Sequence, residues 1–403
     1  MKEIIIVGGG ASGLMAAIVA ARRGRSVTIL EHKDRVGRKI LATGNGRCNY
    51  TNLYMDISGF RSDDIDFVKR VLKKFSYGEA IEFFIDLGIY PKQINGYVYP
   101  YSEQASSVRD VLELEALHLG VEIVTNVKVN EITKDSSHFV IKTSEKEFTS
   151  KKLILACGGK AYESLGSDGS GFDLARKLGH RIIKPLPGLV QLRSSDKFLK
   201  QVNGVRTDVR VDVLVKNDLV ASETGQLQFT NYGVSGIPIL QISRFVSKAL
   251  DKSMDVKLAI DLLPNEDWQD CMDLIESRIE FCPYKTLEEL FIGLFNNKLV
   301  LCLLKRANLS KDMECNKLNK SNLIKLINII KYFEVNINNT NPFDQAQVTV
   351  GGIDTEQVNS KTMESKIVKD LYFTGEILDV DGTCGGYNLQ WAWSSGYLAG
   401  SSI

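Results

Sequence analysis

The opening of the chain constrains its fold more than any other stretch. Ile4 to Val7 is a continuous apolar run, as expected of a parallel strand buried on both faces. It leads through Gly8-Gly9-Gly10-Ala11-Ser12-Gly13 into an Ala-rich apolar helix, Leu14 to Arg23. Gly24 ends that helix, Ser26 to Leu30 reads as a second strand, and Glu31 stands at its end, 18 residues after Gly13. Gly8 allows the tight turn, Gly10 lets the backbone approach a pyrophosphate, and Gly13 lets helix and strand pack closely. The helix N-terminus, with free N–H groups and the positive end of its dipole, then faces the phosphates. A carboxylate at Glu31 accepts hydrogen bonds from ribose hydroxyls and repels the 2′-phosphate of NADP.

The motif alone does not separate FAD from NAD. After Glu31 and His32 comes a basic, glycine-rich loop that includes Arg38, Lys39, Gly44, Gly46, Arg47, Cys48 and Asn49. Such a loop suits a long ligand lying extended across the first unit, with backbone donors along its pyrophosphate and ribityl chain. Farther on, Glu103 to Leu119 reads as a helix, and Val121–Val124, Lys128–Thr133 and Phe139–Thr143 as strands of a β-meander. Lys152 to Ala156 returns to a buried strand before Cys157-Gly158-Gly159. This layout resembles the glutathione-reductase-like FAD domain, and by that resemblance Val127 offers its backbone to the adenine. Near the far end, the strand Leu371–Phe373 runs into Gly375-Glu376, then Asp379, Gly385-Gly386-Tyr387-Asn388 and a helix from Leu389 to Ala399. A second helix N-terminus there can stabilise negative charge at the flavin N1–C2=O edge. With Ala11, Ser12, Ala156, Gly158 and Leu389, these positions make up the expected cofactor site.

Taken together, Gly8–Gly13, residues 37–41, residues 44–49, Thr362-Met363-Glu364-Ser365-Lys366 and residues 375–390 resemble one family over nearly the whole chain. It is the bacterial NAD(P)/FAD-dependent oxidoreductase family that includes aminoacetone oxidase and a bile-acid-pathway reductase. The resemblance implies FAD as cofactor, with NADH or NADPH as a possible transient reductant, and leaves the substrate open. A further glycine-rich segment, Gly166 to Gly171, has the order G-x-x-G-x-G and lacks an acid-terminated unit, so it reads as part of the FAD domain.

The expected fold is therefore α/β: a discontinuous FAD-binding Rossmann domain over 1–189 and 345–403, an inserted β-rich domain over 190–262 and a helical subdomain over 263–344. Strands at Val205–Val215 and Gln226–Thr230 and a helical pattern from Glu266 to about Val335 carry the insert. An insert of this kind commonly encloses substrate.

Fifty basic and forty-nine acidic residues leave a net charge of +1, with no field to steer the chain to nucleic acid or membrane. The lysines from Lys317 to Lys331 read as a solvated helix face. No apolar stretch is long enough for a membrane span. Seven cysteines without a C-x-x-C pair argue against a disulfide framework or a metal site and fit a reducing cytoplasm. Cys48 is alone in its loop, which excludes a local dithiol; a pairing with Cys384 is the one remaining option for flavin-facing thiols. Tyr387, Arg47 and Asn49 are placed near the isoalloxazine by motif position, while Tyr97 and Tyr99 are candidates to line a pocket, although an aromatic pair in this pattern is more often strand packing. His118, His138 and His180 read as structural, and no catalytic acid or base stands out. The function expected is hydride transfer between flavin N5 and a small organic substrate. The alternatives are an amine oxidase using O2 and a flavin-binding sensor without turnover. The oligomeric state is not legible.

Overall fold

The computed structural model describes residues 1–135 and 137–403. The chain forms two compact units, Met1–Pro187 with Phe343–Ile403, and Gly188–Pro342. The first is a Rossmann-type domain. Its central strand, Lys2–Val7, pairs in parallel with Val27–Leu30 on one side and with Glu147–Leu155 on the other. Being hydrogen-bonded on both edges and covered on both faces, Ile4, Ile5 and Ile6 are fully buried, which is why this strand is continuously apolar. Glu122–Val124 adds in parallel to Val27–Leu30, and Leu371–Phe373 adds in parallel to Leu153–Leu155.

Two details differ from the sequence expectation. Val121–Val124 is not a meander strand; its register with Thr28–Leu30 makes it the edge of the parallel sheet. The returning strand is longer than expected. Glu147–Leu155 pairs antiparallel through its first residues with Phe139–Thr143, which pairs with Val129–Lys134, and then joins the parallel sheet with its last residues. One strand thus couples the hairpin to the nucleotide sheet. The expected helix after Glu103 is found at Ala105–His118.

The helix Ala11–Arg22 is buried from Ser12 to Ala20 and lies against the terminal helix, Tyr387–Ser402. Their approach depends on absent side chains. A Cβ on Gly396 would stand 2.5 Å from the Ser12 carbonyl oxygen, and one on Gly400 would stand 2.5 Å from that of Ala16. Both obstacles are backbone, so neither can move aside cheaply.

The second unit holds a seven-stranded antiparallel sheet. Its order runs Phe333–Ile337, Val256–Asp261, Arg206–Val215, Asp218–Thr230, Gly233–Gly236, Leu192–Arg193 and Asn339–Thr340. The first and last strands of that order are neighbours in sequence, so the sheet curls back on itself. The expected split of the insert at residue 263 is not found. Residues on both sides of it, such as Val211, Leu258, Ile275, Leu303 and Ile327, share one hydrophobic core. The helix Ile237–Asp251 lies within the stretch expected to be β-rich, and Phe333–Ile337, expected as the end of a helical run, is a strand. The lysine run is only partly a solvated face: Lys317 and Lys320 are exposed, but Lys331 reaches Asp261 at 2.8 Å and Lys325 reaches the Ala307 carbonyl at 2.8 Å.

Among the described residues no helix is long and apolar enough to cross a membrane, and no cluster of His, Cys, Asp or Glu is arranged to hold a metal. The helix contact yields a first test. Gly396→Val should destabilise the protein by about 1–3 kcal/mol through overpacking, seen as a lowered Tm in thermal unfolding.

Candidate functional site

The site is built where the first strand turns into the first helix. Gly8 adopts a φ of +103°, and a Cβ there would sit 2.4 Å from the Ala156 carbonyl oxygen. A Cβ on Gly13 would sit 2.0 Å from the Gly8 carbonyl oxygen, so helix and turn touch backbone to backbone. Gly10 is different: nothing lies within 4 Å of its would-be Cβ. Gly10 is also the N-cap of Ala11–Arg22, with no side-chain capping bond. The first-turn N–H groups thus have no side-chain cap at the positive end of a buried helix, beside a glycine that leaves room for a ligand to approach.

Glu31 is 7% exposed, and its carboxylate is already oriented. Oε2 accepts from the Gly9 N–H at 2.8 Å and Oε1 from the Lys33 N–H at 2.8 Å. Each ionised oxygen has about two acceptor positions, so each keeps one for a ribose hydroxyl. His32 Nδ1 lies 3.6 Å from Glu31 Oε1, and its buried Nε2 has no hydrogen-bond partner. The Val127 N–H donates to the Glu31 carbonyl at 2.9 Å. That bond ties the strand end to the loop and leaves the Val127 carbonyl as the backbone group it can offer.

The basic loop does not present a row of free cations. Arg38 donates to Asp34 at 2.9 Å, and Lys39 pairs with Glu376 at 2.7 Å. Glu376 in turn accepts the Thr349 N–H at 2.7 Å. Asp34, Arg35, Arg38, Leu41, Ala42 and Leu165 line an open pocket of about 360 Å³ beside the turn. Gly44, Asn45, Gly46 and Cys48 all have positive φ, so this stretch coils tightly and leaves the Arg47 guanidinium over the Tyr99 ring, 4.8 Å from its centre. Asn49 is buried and accepts the Val98 N–H at 3.2 Å through its amide oxygen, which anchors the loop to a strand.

The C-terminal motif closes on the same place. Gly375, at φ +77°, lies against Ser12, whose Oγ would be 2.5 Å from a Cβ. The Gly375 N–H donates to Ser395 Oγ, and Trp391 Nε1 donates to the Gly375 carbonyl. Asp379 is fully buried and accepts the Asp63 N–H at 3.2 Å. Asn388 grips the Gly382 N–H and carbonyl, both at 2.9 Å, which fixes the loop that delivers the terminal helix. Gly386, its N-cap, packs on the Thr51 backbone and leaves the helix without a side-chain cap. Leu389 is partly buried at the edge of the core. The Tyr387 ring lies against Gly59 and Phe60, and its hydroxyl donates to the Tyr54 carbonyl at 3.3 Å. Its role is thus to brace the loop, which the motif position did not reveal.

Other residues proved structural or were missed. Gly158 lies by Ser167, and Gly166 lies by His32 and Lys33, so the second glycine segment belongs to this unit. The Thr362–Lys366 segment brings Ser365 Oγ within 2.7 Å of His180 Nε2, on a buried histidine whose pKa burial lowers. The sequence reading missed Asn52, which donates to the Gly385 carbonyl at 3.0 Å, and the Thr51–Gln390 hydrogen bond at 2.7 Å. Gln390 lay within a motif already noted; its strand partner carried no local signal.

None of the seven cysteines is in a disulfide, so the Cys48–Cys384 pairing is not formed. Cys48 is wholly buried, and burial pushes its thiol up to about 12; Cys157 is only partly buried, but burial and then the nearby Asp168 and Glu31 carboxylates push its thiol up to about 12 as well. A thiolate is the reactive species. At pH 8 both should resist 5,5′-dithiobis(2-nitrobenzoate) in the native protein and react at once in denaturant, with seven thiols counted there.

Comparison with known proteins follows this geometry. The chain is 45% identical over 402 residues to a Clostridium scindens protein named 3-dehydro-bile acid delta(4,6)-reductase, covering 99% of this chain and 98% of the relative. It is 33% identical over 409 residues to a Haemophilus influenzae protein named ribosomal RNA dihydrouridine synthase, covering 100% and 98%. A solved structure it resembles is a 3-ketosteroid-delta4-(5alpha)-dehydrogenase from Rhodococcus jostii RHA1, with TM-score 0.48, 16% identity, and coverage of 99% and 96%. The family model described as HI0933-like protein Rossmann domain matches residues 2–402, and the chain belongs to that family.

Proposed function

We propose that this chain is an FAD-dependent reductase of a small, conjugated carbonyl compound, with NADH or NADPH as electron donor. The observation that carries the reading is the near full-length 45% identity to a protein named as a bile-acid delta(4,6)-reductase. That a flavin-dependent redox enzyme is encoded here agrees with the cradle: an uncapped helix N-terminus at Gly10, an oriented Glu31 and a second uncapped helix at Gly386. Bound FAD would supply hydride exchange.

The chain's own residues then have definite tasks. The first-turn N–H groups of Ala11–Arg22 would hold a pyrophosphate, and Glu31 the ribose hydroxyls. Lys39 and Glu376 neutralise each other, which keeps the C-terminal motif docked without adding net charge beside the cofactor. The end of the terminal helix at Gly386 provides N–H groups for negative charge that develops when the cofactor is reduced. Expectations that reach beyond this, a small-molecule substrate and a cytoplasmic setting, draw support from the reductase relative and from seven cysteines outside any disulfide.

A second reading is favoured by the 33% identity to the protein named as an rRNA dihydrouridine synthase. Its chemistry is of the same kind, since the uracil 5,6 double bond is conjugated with a carbonyl. The expectation that nucleic acid plays no part is therefore set against that reading by experiment.

The purified protein should show flavin absorbance that NADH or NADPH bleaches anaerobically. Adding a 3-oxo-4,6-diene bile acid should restore it. Failure of both nucleotides to bleach, with peroxide released from an amine, overturns the reductase reading; restoration by uridine-containing RNA alone selects the second reading. Glu31→Gln should weaken FAD binding about tenfold, consistent with loss of a charge-assisted hydrogen bond, measured by fluorescence titration.

A further inference from the structure

Three tyrosines stand at or near the start of the terminal helix, each with its ring against a glycine. Tyr387 lies on Gly59, Tyr54 lies on Gly96, and Tyr97 lies on Gly385. The seats are tight: a Cβ on Gly96 would be 2.4 Å from the Tyr54 ring, and one on Gly385 would be 2.5 Å from the Tyr97 ring. Both glycines also have positive φ, at +84° and +105°. Tyr387 is used up in bracing its loop. Tyr54 and Tyr97 are not: they are 75% and 38% exposed.

The small sheet that carries them fixes their direction. Asn52, Tyr97 and Ile94 stand opposite one another on three adjacent strands, and Tyr99 stands opposite Lys92. Tyr97 and Tyr99 share a face of their strand, about 7 Å apart, while Val98 between them is buried in the core. Tyr99 is covered by Arg47, whose guanidinium lies 4.8 Å from the ring centre. Lys92 is neutralised by Glu103, whereas Arg47 forms no ion pair among the described residues. The same face meets both loops assigned to the cofactor: residues 44–47 at Tyr99, and Gly385 at Tyr97.

We infer that Tyr54 and Tyr97 form the stacking wall for the substrate, with Arg47 as the donor to its carbonyl oxygen. This rests on the reductase reading above and names the part of the site that selects the substrate. Aromatic faces attract flat, apolar, conjugated rings. A guanidinium held on Tyr99 is an oriented donor, and it stabilises the negative charge that grows on a conjugated carbonyl oxygen when the β-carbon accepts hydride. The balance is simple: reduced FAD, if bound, would supply two electrons and one proton as hydride. As the C–H bond forms at the β-carbon, the C=C π bond would break and its electron pair shift to the carbonyl oxygen beside Arg47. Water would then deliver the second proton to the α-carbon as the carbonyl re-forms. The observations favour a fused-ring conjugated ketone, because exposed aromatic side chains at neighbouring glycine seats stand at the same small sheet as one cation without an ion pair among the described residues, and not in a basic groove.

The test uses the FAD-loaded full-length protein with a 3-oxo-4,6-diene bile acid as the probe. Binding is read from perturbation of the flavin absorbance without reductant. Tyr97→Ala and Tyr54→Ala should each weaken the probe's Kd about fivefold, a stacking-sized effect, while Tyr97→Phe keeps it. FAD affinity and the flavin spectrum of the free variants should stay as in the parent protein, which separates a lost wall from a misfolded site. Arg47→Lys should lower kcat more than it raises KM. If the parent protein binds and reduces the probe but both alanine variants bind it equally well, the wall is overturned and the reductase reading stands. If the parent protein neither binds nor reduces the probe, the reductase reading fails and takes the wall with it.

Discussion

The contact on which the rest depends is the meeting of Gly375 with Ser12 and Ser395. At this point the last strand of the sheet ends, the first helix begins and the terminal helix passes by. Gly375 can press on Ser12 because it has no side chain, and its N–H and carbonyl are both taken by the terminal helix, through Ser395 and Trp391. A backbone polar group buried without such partners would cost about 1–3 kcal/mol. The C-terminal segment is therefore pinned by two side-chain to main-chain bonds and pressed by close packing against Ser12, at the very turn that would hold a pyrophosphate. Gly396 continues the contact one step along, against the Ser12 carbonyl.

A buried polar network extends this junction toward the small tyrosine-bearing sheet. Thr51 donates to Gln390 Oε1, Gln390 Nε2 donates to the Phe75 carbonyl and to Ser394 Oγ, and Trp393 Nε1 donates to the Tyr50 carbonyl. Gln390 and Ser394 are completely buried. Such a network holds one geometry because every alternative leaves a buried group unpaired. It sets the height of the terminal helix against the strand Thr51–Asn52, and so the position of Gly385 and Gly386 at that helix's start.

Legibility in the sequence followed the range of the interactions. The opening strand, glycine turn, helix and Glu31 could be read because each residue acts on its near neighbours, and Gly8, Gly10 and Gly13 have the distinct surroundings that their spacing implied. The C-terminal helix was legible for the same reason. Long-range pairing was not. Val121–Val124 carries the pattern of a strand, but nothing local says that it pairs with Thr28–Leu30 instead of joining a meander. The insert was divided at residue 263 because its periodicity changes there, yet burial is shared across that point, as Leu258 and Ile275 in one core make plain. Side-chain roles suffered most. Asn49, Tyr387 and Asn388 belong to recognisable motifs, but a motif does not say whether a side chain turns toward a ligand or back into its own loop.

That distinction bears on how specificity can vary within one scaffold. Residues that turn back, such as Asn388 and Gln390, are locked by two or more hydrogen bonds each, and changing any of them disturbs the junction. Tyr54 and Tyr97 have exposed rings resting on glycine, so their outer faces carry no structural duty. Exchanging such a ring for another side chain alters what can stack there while the glycine seats, the Asn52–Gly385 bond and the helix start stay in place. A scaffold arranged in this way can keep its cofactor geometry fixed while the substrate changes.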